Sequence, residues 1–176
     1  MWWLSRILSL SCDGLCVYKA NGYGHGDIEI SIIAIEAGAT HLAVAFLDEA
    51  LKLREYFKNI PILVLEPIRI EDVSLAADKN IILTAHAYEW LKKINIVDRS
   101  IKIHIKLDTG MNRIGIKDKD EFEKCIKYIK SNKSLNLDGI YTYFSTADSS
   151  DIEYFNNQVL KFKENVNSFL IMYVPK

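Results

Sequence analysis

Short apolar runs rich in β-branched residues alternate along the sequence with segments of helical periodicity. The predicted strands are Leu15–Tyr18, Leu42–Phe46, Ile62–Leu65, Ile81–Thr84, Ile101–Leu107 and Leu137–Phe144. The predicted helices are Asp27–Ala37, Asp48–Tyr56, Ile70–Lys79, Tyr88–Ile94, Lys119–Ser131 and Ile152–Leu170. This alternation predicts an α/β fold with a parallel sheet and right-handed crossovers. A doubly wound open sheet and a (β/α)8 barrel both fit, although whole barrels need about 250 residues and this chain has 176.

The composition excludes several classes of function. The chain is 49% hydrophobic and 26% charged, which is typical of one soluble globular domain. The 22 basic and 23 acidic residues give a net charge of -1, so no basic surface for nucleic acid or a membrane is indicated. The three cysteines, Cys12, Cys16 and Cys125, lack metal-ligand spacing, and we interpret them as reduced thiols of a cytoplasmic protein.

Residues 1–14 are predicted to form an irregular lead, followed by a single domain over residues 15–176. The apolar start contains Arg6 and faintly resembles a signal peptide, but Asp13 interrupts the run and no small-residue cleavage pattern follows. The run is also shorter than the roughly 20 apolar residues that span a bilayer.

Three segments with chemically useful side chains follow predicted strands: KANGYGHG after the first, KLDTGMNRIG after the fifth and YTYFSTAD after the sixth. In both candidate folds, chemistry lies at the carboxyl ends of the parallel strands. Lys19 opens the first segment, and an amine shielded from water can attack a carbonyl to form a Schiff base. The glycines that follow let backbone N–H groups approach a phosphate, and Tyr23 adds a hydroxyl donor. A surface lysine beside an ordinary flexible loop is the alternative.

The other two segments also allow two interpretations each. Arg113 has a planar guanidinium that suits a carboxylate, a phenolate oxygen or a phosphate. Asp108 and Gly110 would equally suit an ordinary turn with a solvated arginine. Tyr143 has a ring that can stack on a planar ligand, or it fills the core or the rim of a barrel.

Together and in this order, the three segments resemble the alanine racemase family of fold-type III pyridoxal-phosphate enzymes. The family's Schiff-base motif, roughly V-V-K-A-N-A-Y-G-H-G, is present as V-Y-K-A-N-G-Y-G-H-G, with Gly22 in place of alanine. The motif D-T-G-M-x-R-x-G is intact from Asp108 to Gly115, and T-H-F-x-x-A-D is present as T-Y-F-S-T-A-D from Thr142 to Asp148. The resemblance implies a (β/α)8 TIM-barrel type of α/β fold, with about six of the eight β/α units present.

The resemblance also implies roles for individual residues. Lys19 would carry pyridoxal 5'-phosphate through a Schiff base and act as the catalytic base. Tyr23 would contact the cofactor phosphate, and Arg113 would face the cofactor ring oxygen and the substrate carboxylate. Lys106 matches a position that is carbamylated in some members, where it orients the arginine. Tyr143 replaces the histidine that stacks on the cofactor ring, so an aromatic face is kept and the imidazole is lost.

The function implied by the resemblance is that of an isomerase that interconverts L-alanine and D-alanine, supplying D-alanine for the cell wall. Racemisation needs a second acid on the opposite face of the substrate, which the family takes from a tyrosine of a C-terminal β domain across a homodimer interface. That domain and barrel strands seven and eight are not in this sequence, so we expect a truncated fragment with little activity alone. The alternatives are a racemase for another amino acid, such as serine, and a non-catalytic barrel protein that binds pyridoxal phosphate.

Overall fold

In the computed structural model, the described residues are 14–94, 99–147 and 152–173. They belong to two compact units that divide between Leu83 and Thr84. The predicted irregular lead over residues 1–14 lies outside the described residues except for Gly14, where the first strand begins. Cys12 and Asp148 also lie outside the described residues.

The first unit alternates strands and helices. Its elements are β1 (Gly14–Val17), α1 (Asp27–Glu36), β2 (Ala39–Val44), α2 (Leu47–Tyr56), β3 (Ile62–Val64), a 3-10 turn (Ile70–Asp72), α3 (Val73–Asp78) and β4 (Ile82–Ala85), which begins at the end of the unit. The strands pair in parallel and in chain order, with Leu42 opposite Ile62 and Leu63 opposite Ile82. Every strand therefore directs its carboxyl end toward the same edge of this sheet.

The core of the first unit is made by strands that are covered on both faces. All side chains of residues 42–44, 62–64 and 82–83 are 1% exposed or less. A parallel sheet that is covered on both faces leaves no strand face in water, so its strands are continuous apolar runs rather than alternating ones. From α2, Ala50 and Leu53 are fully buried against this core.

Arg54 is buried at the carboxyl end of α2, which the sequence analysis did not anticipate. Its Nε donates to the carbonyl oxygen of Lys79 at 2.9 Å, and its Nη2 donates to that of Asn80 at 2.9 Å. Its Nη1 donates to three carbonyl oxygens of the loop over residues 57–60. Burial lowers the pKa of Arg54. This guanidinium joins the loops that follow α2 and α3.

The second unit contains the elements α4 (Tyr88–Lys93), β5 (Ile101–Leu107), α5 (Lys119–Ser131), β6 (Leu135–Thr142) and α6 (Ile152–Tyr173). β5 and β6 are parallel from Ile101 opposite Leu135 to Leu107 opposite Thr142. Asp118 caps α5 by accepting a hydrogen bond from the backbone N–H of Glu121 at 2.8 Å. The helix then buries one apolar side made by Phe122, Cys125, Ile126 and Ile129.

The alternation of parallel strands and helices confirms the predicted α/β class. The described ranges contain six strands, with every helix within three residues of its predicted bounds except one. The predicted helix Ile70–Lys79 is a 3-10 turn followed by a short α-helix, because the backbone N–H of Asp72 bonds to the carbonyl oxygen of Arg69, three residues back, at 3.1 Å. Within the part of the chain that the structure describes, no helix is both long enough and apolar enough to cross a membrane.

Candidate active site

Lys19 is the last extended residue after β1, with φ -156 and ψ 173. Tyr18 before it is 2% exposed, and its backbone N–H donates to the carbonyl oxygen of Ala43 in β2 at 3.0 Å. The Lys19 side chain itself is exposed. The amine of Lys19 is therefore exposed at the carboxyl end of a parallel strand, without the shielding from water that the sequence argument assumed.

A turn of left-handed backbone follows Lys19. The φ angles of residues 20–23 are 50, 56, 61 and 55, and the backbone N–H of Tyr23 donates to the carbonyl oxygen of Lys19 at 2.9 Å. L-residues other than glycine lose roughly 1–2 kcal/mol each in this region. Gly22 escapes that cost and Asn21 bears less of it, because asparagine tolerates this region, whereas Ala20 and Tyr23 bear it in full. Strain of this kind persists where the surroundings enforce it, and it clusters at functional sites.

A small polar network attaches the end of β1 to α1. The Tyr18 hydroxyl is hydrogen-bonded to Ser31 in α1, and the Ser31 hydroxyl donates to the carbonyl oxygen of Asp27 at 2.6 Å. The Asp27 carboxylate, at the start of α1, forms an ion pair with Lys52 at 2.9 Å. Burial raises the pKa of Tyr18 to about 12. The residue before the lysine is therefore fixed by its own side chain.

In the second unit, the carboxyl end of β5 carries Lys106 and the loop with Arg113. Lys106 is 4% exposed, and its Nζ lies 5.8 Å from the centroid of the Tyr141 ring. The Asp108 carboxylate organises the loop from inside, since its Oδ1 accepts from the backbone N–H groups of Gly110 and Asn112, both at 3.0 Å. Arg113 is exposed.

The loop returns to the strand that it left. The backbone N–H of Ile116 donates to the carbonyl oxygen of Lys106 at 2.9 Å, and the N–H of Asp108 donates to that of Ile116 at 2.9 Å. Gly115 makes the crossing with φ 132, and a Cβ there would lie 2.9 Å from the backbone nitrogen of Asp108. Arg113 thus stands on a loop whose two ends are held at one point of β5.

Tyr143 follows β6 and is 55% exposed. Its carbonyl oxygen accepts from Nε2 of Gln158 at 3.5 Å, and Gln158, which is 1% exposed in α6, also binds the backbone N–H of Ser145 at 3.1 Å. Thr142 donates through its hydroxyl to the carbonyl oxygen of Leu107 at 2.8 Å. These bonds attach the loop after β6 to both α6 and β5.

Each unit assembles a part of the predicted site. The first unit brings Lys19 and Tyr23 together within one turn, where Tyr23 is 62% exposed. The second unit has Lys106, Arg113 and Tyr143 at the carboxyl ends of β5 and β6. Within the described ranges, no group of three His, Cys, Asp or Glu residues could hold a metal ion.

The sequence analysis missed several residues that hold these side chains in place. The buried position of Gln158 could have been inferred from the sequence, because this polar residue lies between Phe155 and Phe162 on the apolar side of a predicted helix. The sequence indicates a role for Glu49 less clearly, since a Glu three residues after the end of a predicted strand suits a capping box. Nothing in the sequence distinguishes Tyr18, because an aromatic residue in an apolar strand is ordinary.

Comparison with a family model and with curated proteins gives one consistent result. The model described as "Alanine racemase, N-terminal domain" matches residues 3–173. The alanine racemase of Geobacillus kaustophilus is 44% identical over 162 residues, which are 90% of this chain and 42% of that protein. The alanine racemase of Listeria monocytogenes is 45% identical over 157 residues, which are 89% of this chain and 42% of that protein. The chain therefore spans about two fifths of the length of these relatives.

Solved structures agree with the sequence comparison. Alanine racemase from Bacillus anthracis with bound L-Ala-P superimposes with a TM-score of 0.90 at 37% identity, covering 99% of this chain and 46% of that one. Histidine racemase from Leuconostoc mesenteroides superimposes with a TM-score of 0.85 at 30% identity, covering 92% of this chain and 44% of that one. The similarity to the first of these confirms the predicted fold class, a (β/α)8 TIM-barrel type of which this chain contains a part.

Proposed function

The chain belongs to the alanine racemase family through its N-terminal domain, and from this premise we propose that it carries the cofactor and one acid–base group of an enzyme that interconverts L-alanine and D-alanine. The proposed cofactor is pyridoxal 5'-phosphate. We propose a homodimer as the working assembly, because the resemblance takes the second acid of the reaction from a tyrosine of the partner's C-terminal β domain. A cytoplasmic location stays a prediction.

The residues of the first unit fit such a cofactor by the chemistry of their donors. Lys19 offers a primary amine for an aldehyde, and the Tyr23 hydroxyl offers a donor for a phosphate; both are exposed on one short turn. The space beside this turn is open at Gly24, where an added Cβ would meet no atom within 4 Å. When bound, the cofactor supplies an electrophilic aldehyde and a ring that accepts the electron pair released at the substrate α-carbon.

The proposed roles follow from what each side chain can do. In one direction of the reaction Lys19 Nζ, in its neutral form, would take the α-proton from one face of the substrate while the second acid delivers a proton to the opposite face; in the reverse direction the protonated Lys19 would deliver the proton to its own face. Arg113 binds the substrate carboxylate through its guanidinium fork, and Tyr143 offers an exposed aromatic face to a planar ring. Lys106 is buried at the end of β5, where the loop that carries Arg113 begins and to which it returns. This position suits a group that orients the arginine. We propose that Lys106 is carbamylated, as in some family members.

The observation that carries this proposal is the exposed amine of Lys19 at a strand end, followed at once by a strained and internally bonded turn. The test is to incubate the full chain with pyridoxal phosphate, reduce with borohydride and locate the adduct by peptide mass spectrometry. We expect the adduct mainly on Lys19. In Lys19→Ala the adduct on this peptide should be lost, because the substitution removes the amine at the end of β1. An adduct that is spread equally over surface lysines in the wild-type chain would contradict the proposal.

A racemase for another amino acid is the second candidate, and one observation favours it. The histidine racemase from Leuconostoc mesenteroides has the same fold at 30% identity, so this fold does not restrict the substrate to alanine. The test is to incubate the cofactor-loaded chain in heavy water with alanine, serine or histidine and to measure the exchange of the α-hydrogen for deuterium in each amino acid. Exchange on alanine alone supports the first candidate, exchange on another amino acid supports the second, and cofactor binding without any exchange supports a non-catalytic role.

A further inference from the structure

The carboxylate of Glu49 accepts hydrogen bonds from two successive strand-end loops of the first unit. Its Oε1 accepts from the backbone N–H of Ala20 at 2.8 Å. Its Oε2 accepts from the backbone N–H groups of Ala45 at 2.9 Å and Phe46 at 3.0 Å. Ala20 directly follows Lys19, and the other two residues connect β2 to α2. One side chain therefore joins the loop after β1 to the loop after β2.

The bond to Ala20 goes beyond ordinary helix capping. A Glu at the third position of a helix commonly binds the backbone N–H of the N-cap residue, and the bond from Phe46 to Glu49 is of this kind. Ala20 is 29 residues away in the chain and lies beyond the last residue of β1. Its N–H is therefore outside the strand ladder, and an ionised acceptor gives it a stronger bond than a neutral one.

Lys19 is consequently fixed on both sides. Tyr18 before it is held by its backbone bond to Ala43 and by its buried hydroxyl. Ala20 after it is held by Glu49 in a left-handed conformation that alanine does not adopt without cost. Since the backbone on either side of Lys19 sets the direction of its Cα–Cβ bond, Glu49 controls where the lysine side chain begins.

We propose that Glu49 is a positioning residue that sets the direction of the Lys19 side chain. This inference rests on the proposed function of Lys19 as the amine that carries the cofactor. Glu49 itself touches neither the amine nor the cofactor in this assignment, and it acts through the Ala20 N–H.

The experiment compares the wild-type chain of residues 1–176 with E49A, E49Q and the control E55A, whose exposed glutamate lies on the same helix. Each chain is incubated briefly with pyridoxal phosphate and reduced with borohydride, and mass spectrometry gives the ratio of adduct on Lys19 to adduct on the exposed Lys124. Circular dichroism at the assay temperature checks that each chain is folded. The ratio is an internal measure, since both lysines meet the same reagent in the same sample.

We expect E49A to lower this ratio about tenfold, the equivalent of losing one hydrogen bond to a charged acceptor. E49Q should lie between E49A and the wild type, because its single carbonyl oxygen can replace only one of the two carboxylate oxygens. E55A should match the wild type. A folded E49A chain that keeps the wild-type ratio would overturn the proposal.

A second measurement does not need E49A to fold. Hydrogen exchange of the Ala20 amide in the wild-type chain should be protected, and it should become faster in E49Q. Exchange at the rate of an unprotected amide in the wild type, or an unchanged rate in E49Q, would also overturn the proposal. If the wild-type chain formed no preferential adduct on Lys19, the proposed function would fail, whereas the exchange rate of Ala20 would still report on Glu49.

Discussion

The loops after β1 and β5 both carry a cationic side chain near a strand end, but different groups stabilise them. The loop after β1 places Lys19 on its first residue and then holds three non-glycine residues in left-handed backbone, through internal backbone hydrogen bonds and through the bond from Ala20 to Glu49. The loop after β5 carries Arg113 near its end and is organised from within by the buried carboxylate of Asp108 and by the crossing at Gly115. The first loop is bound by a carboxylate of a neighbouring helix, Glu49, whereas the second contains its own organising carboxylate and receives a hydroxyl bond from Tyr154 to the carbonyl oxygen of Gly110 at 2.7 Å.

The largest effect is expected at the crossing of the β5 loop. A Cβ at Gly115 would lie 2.9 Å from the nitrogen of Asp108 and 3.1 Å from the carbonyl carbon of Leu107, and both are backbone atoms that cannot rotate away. We expect Gly115→Ala to lower the free energy of unfolding by about 3 kcal/mol or more, from backbone strain together with the clash. Urea denaturation followed by circular dichroism measures this loss.

Gly38→Ala is the matched control for that change. Gly38 also has a positive φ, 100, but a Cβ there would meet no atom within 4 Å, so only the conformational cost of about 1 kcal/mol remains. Equal losses for the two variants would show that the return of the β5 loop to its strand is not the close contact described here.

A smaller effect is expected in the loop after β1. Gly22 has φ 61, and a Cβ there would lie 3.0 Å from Cγ2 of Ile30, an atom of a side chain that can shift. Gly22→Ala should therefore cost about 1–2 kcal/mol, and Gly24→Ala, which meets open space, should cost less. Thermal melting of Gly22→Ala, Gly24→Ala and Gly115→Ala measures these losses of stability. A loss at Gly22 as large as that at Gly115 would remove the contrast between the two loops.

The smallest effect concerns alkaline pH in the first unit. Burial raises the pKa of Tyr18 to about 12 from its usual 10. Because the folded chain keeps this proton longer than the unfolded chain does, the contribution of Tyr18 to stability is complete below pH 10 and is lost as the pH rises toward 12. Tyr18→Phe should flatten the decline of stability over this range, relative to the wild type, in melting experiments at pH 9 to 11.

The sequence alone predicted the helices and strands whose patterns are local. The helix Lys119–Ser131 was predicted with its observed bounds, because helical periodicity is a local property of the sequence. The same holds for β5, a run of seven residues between polar segments. The single helix predicted over residues 70–79 was wrong in form, since its first turn has the i to i+3 backbone bond of a 3-10 helix, which is frequent at helix N-termini and has no distinct residue pattern.

The sequence also determined which side chains are available for chemistry and the family to which the chain belongs, because ordered motifs at strand ends are a property of residue identity and spacing. Only the tertiary structure decided the left-handed backbone of Ala20 and Asn21, the burial of Arg54, and the attachment of Glu49 to the residue after Lys19. Each of these depends on backbone N–H or carbonyl groups that every residue possesses. No residue pattern distinguishes such groups until the fold brings an acceptor or a donor from a distant segment to them.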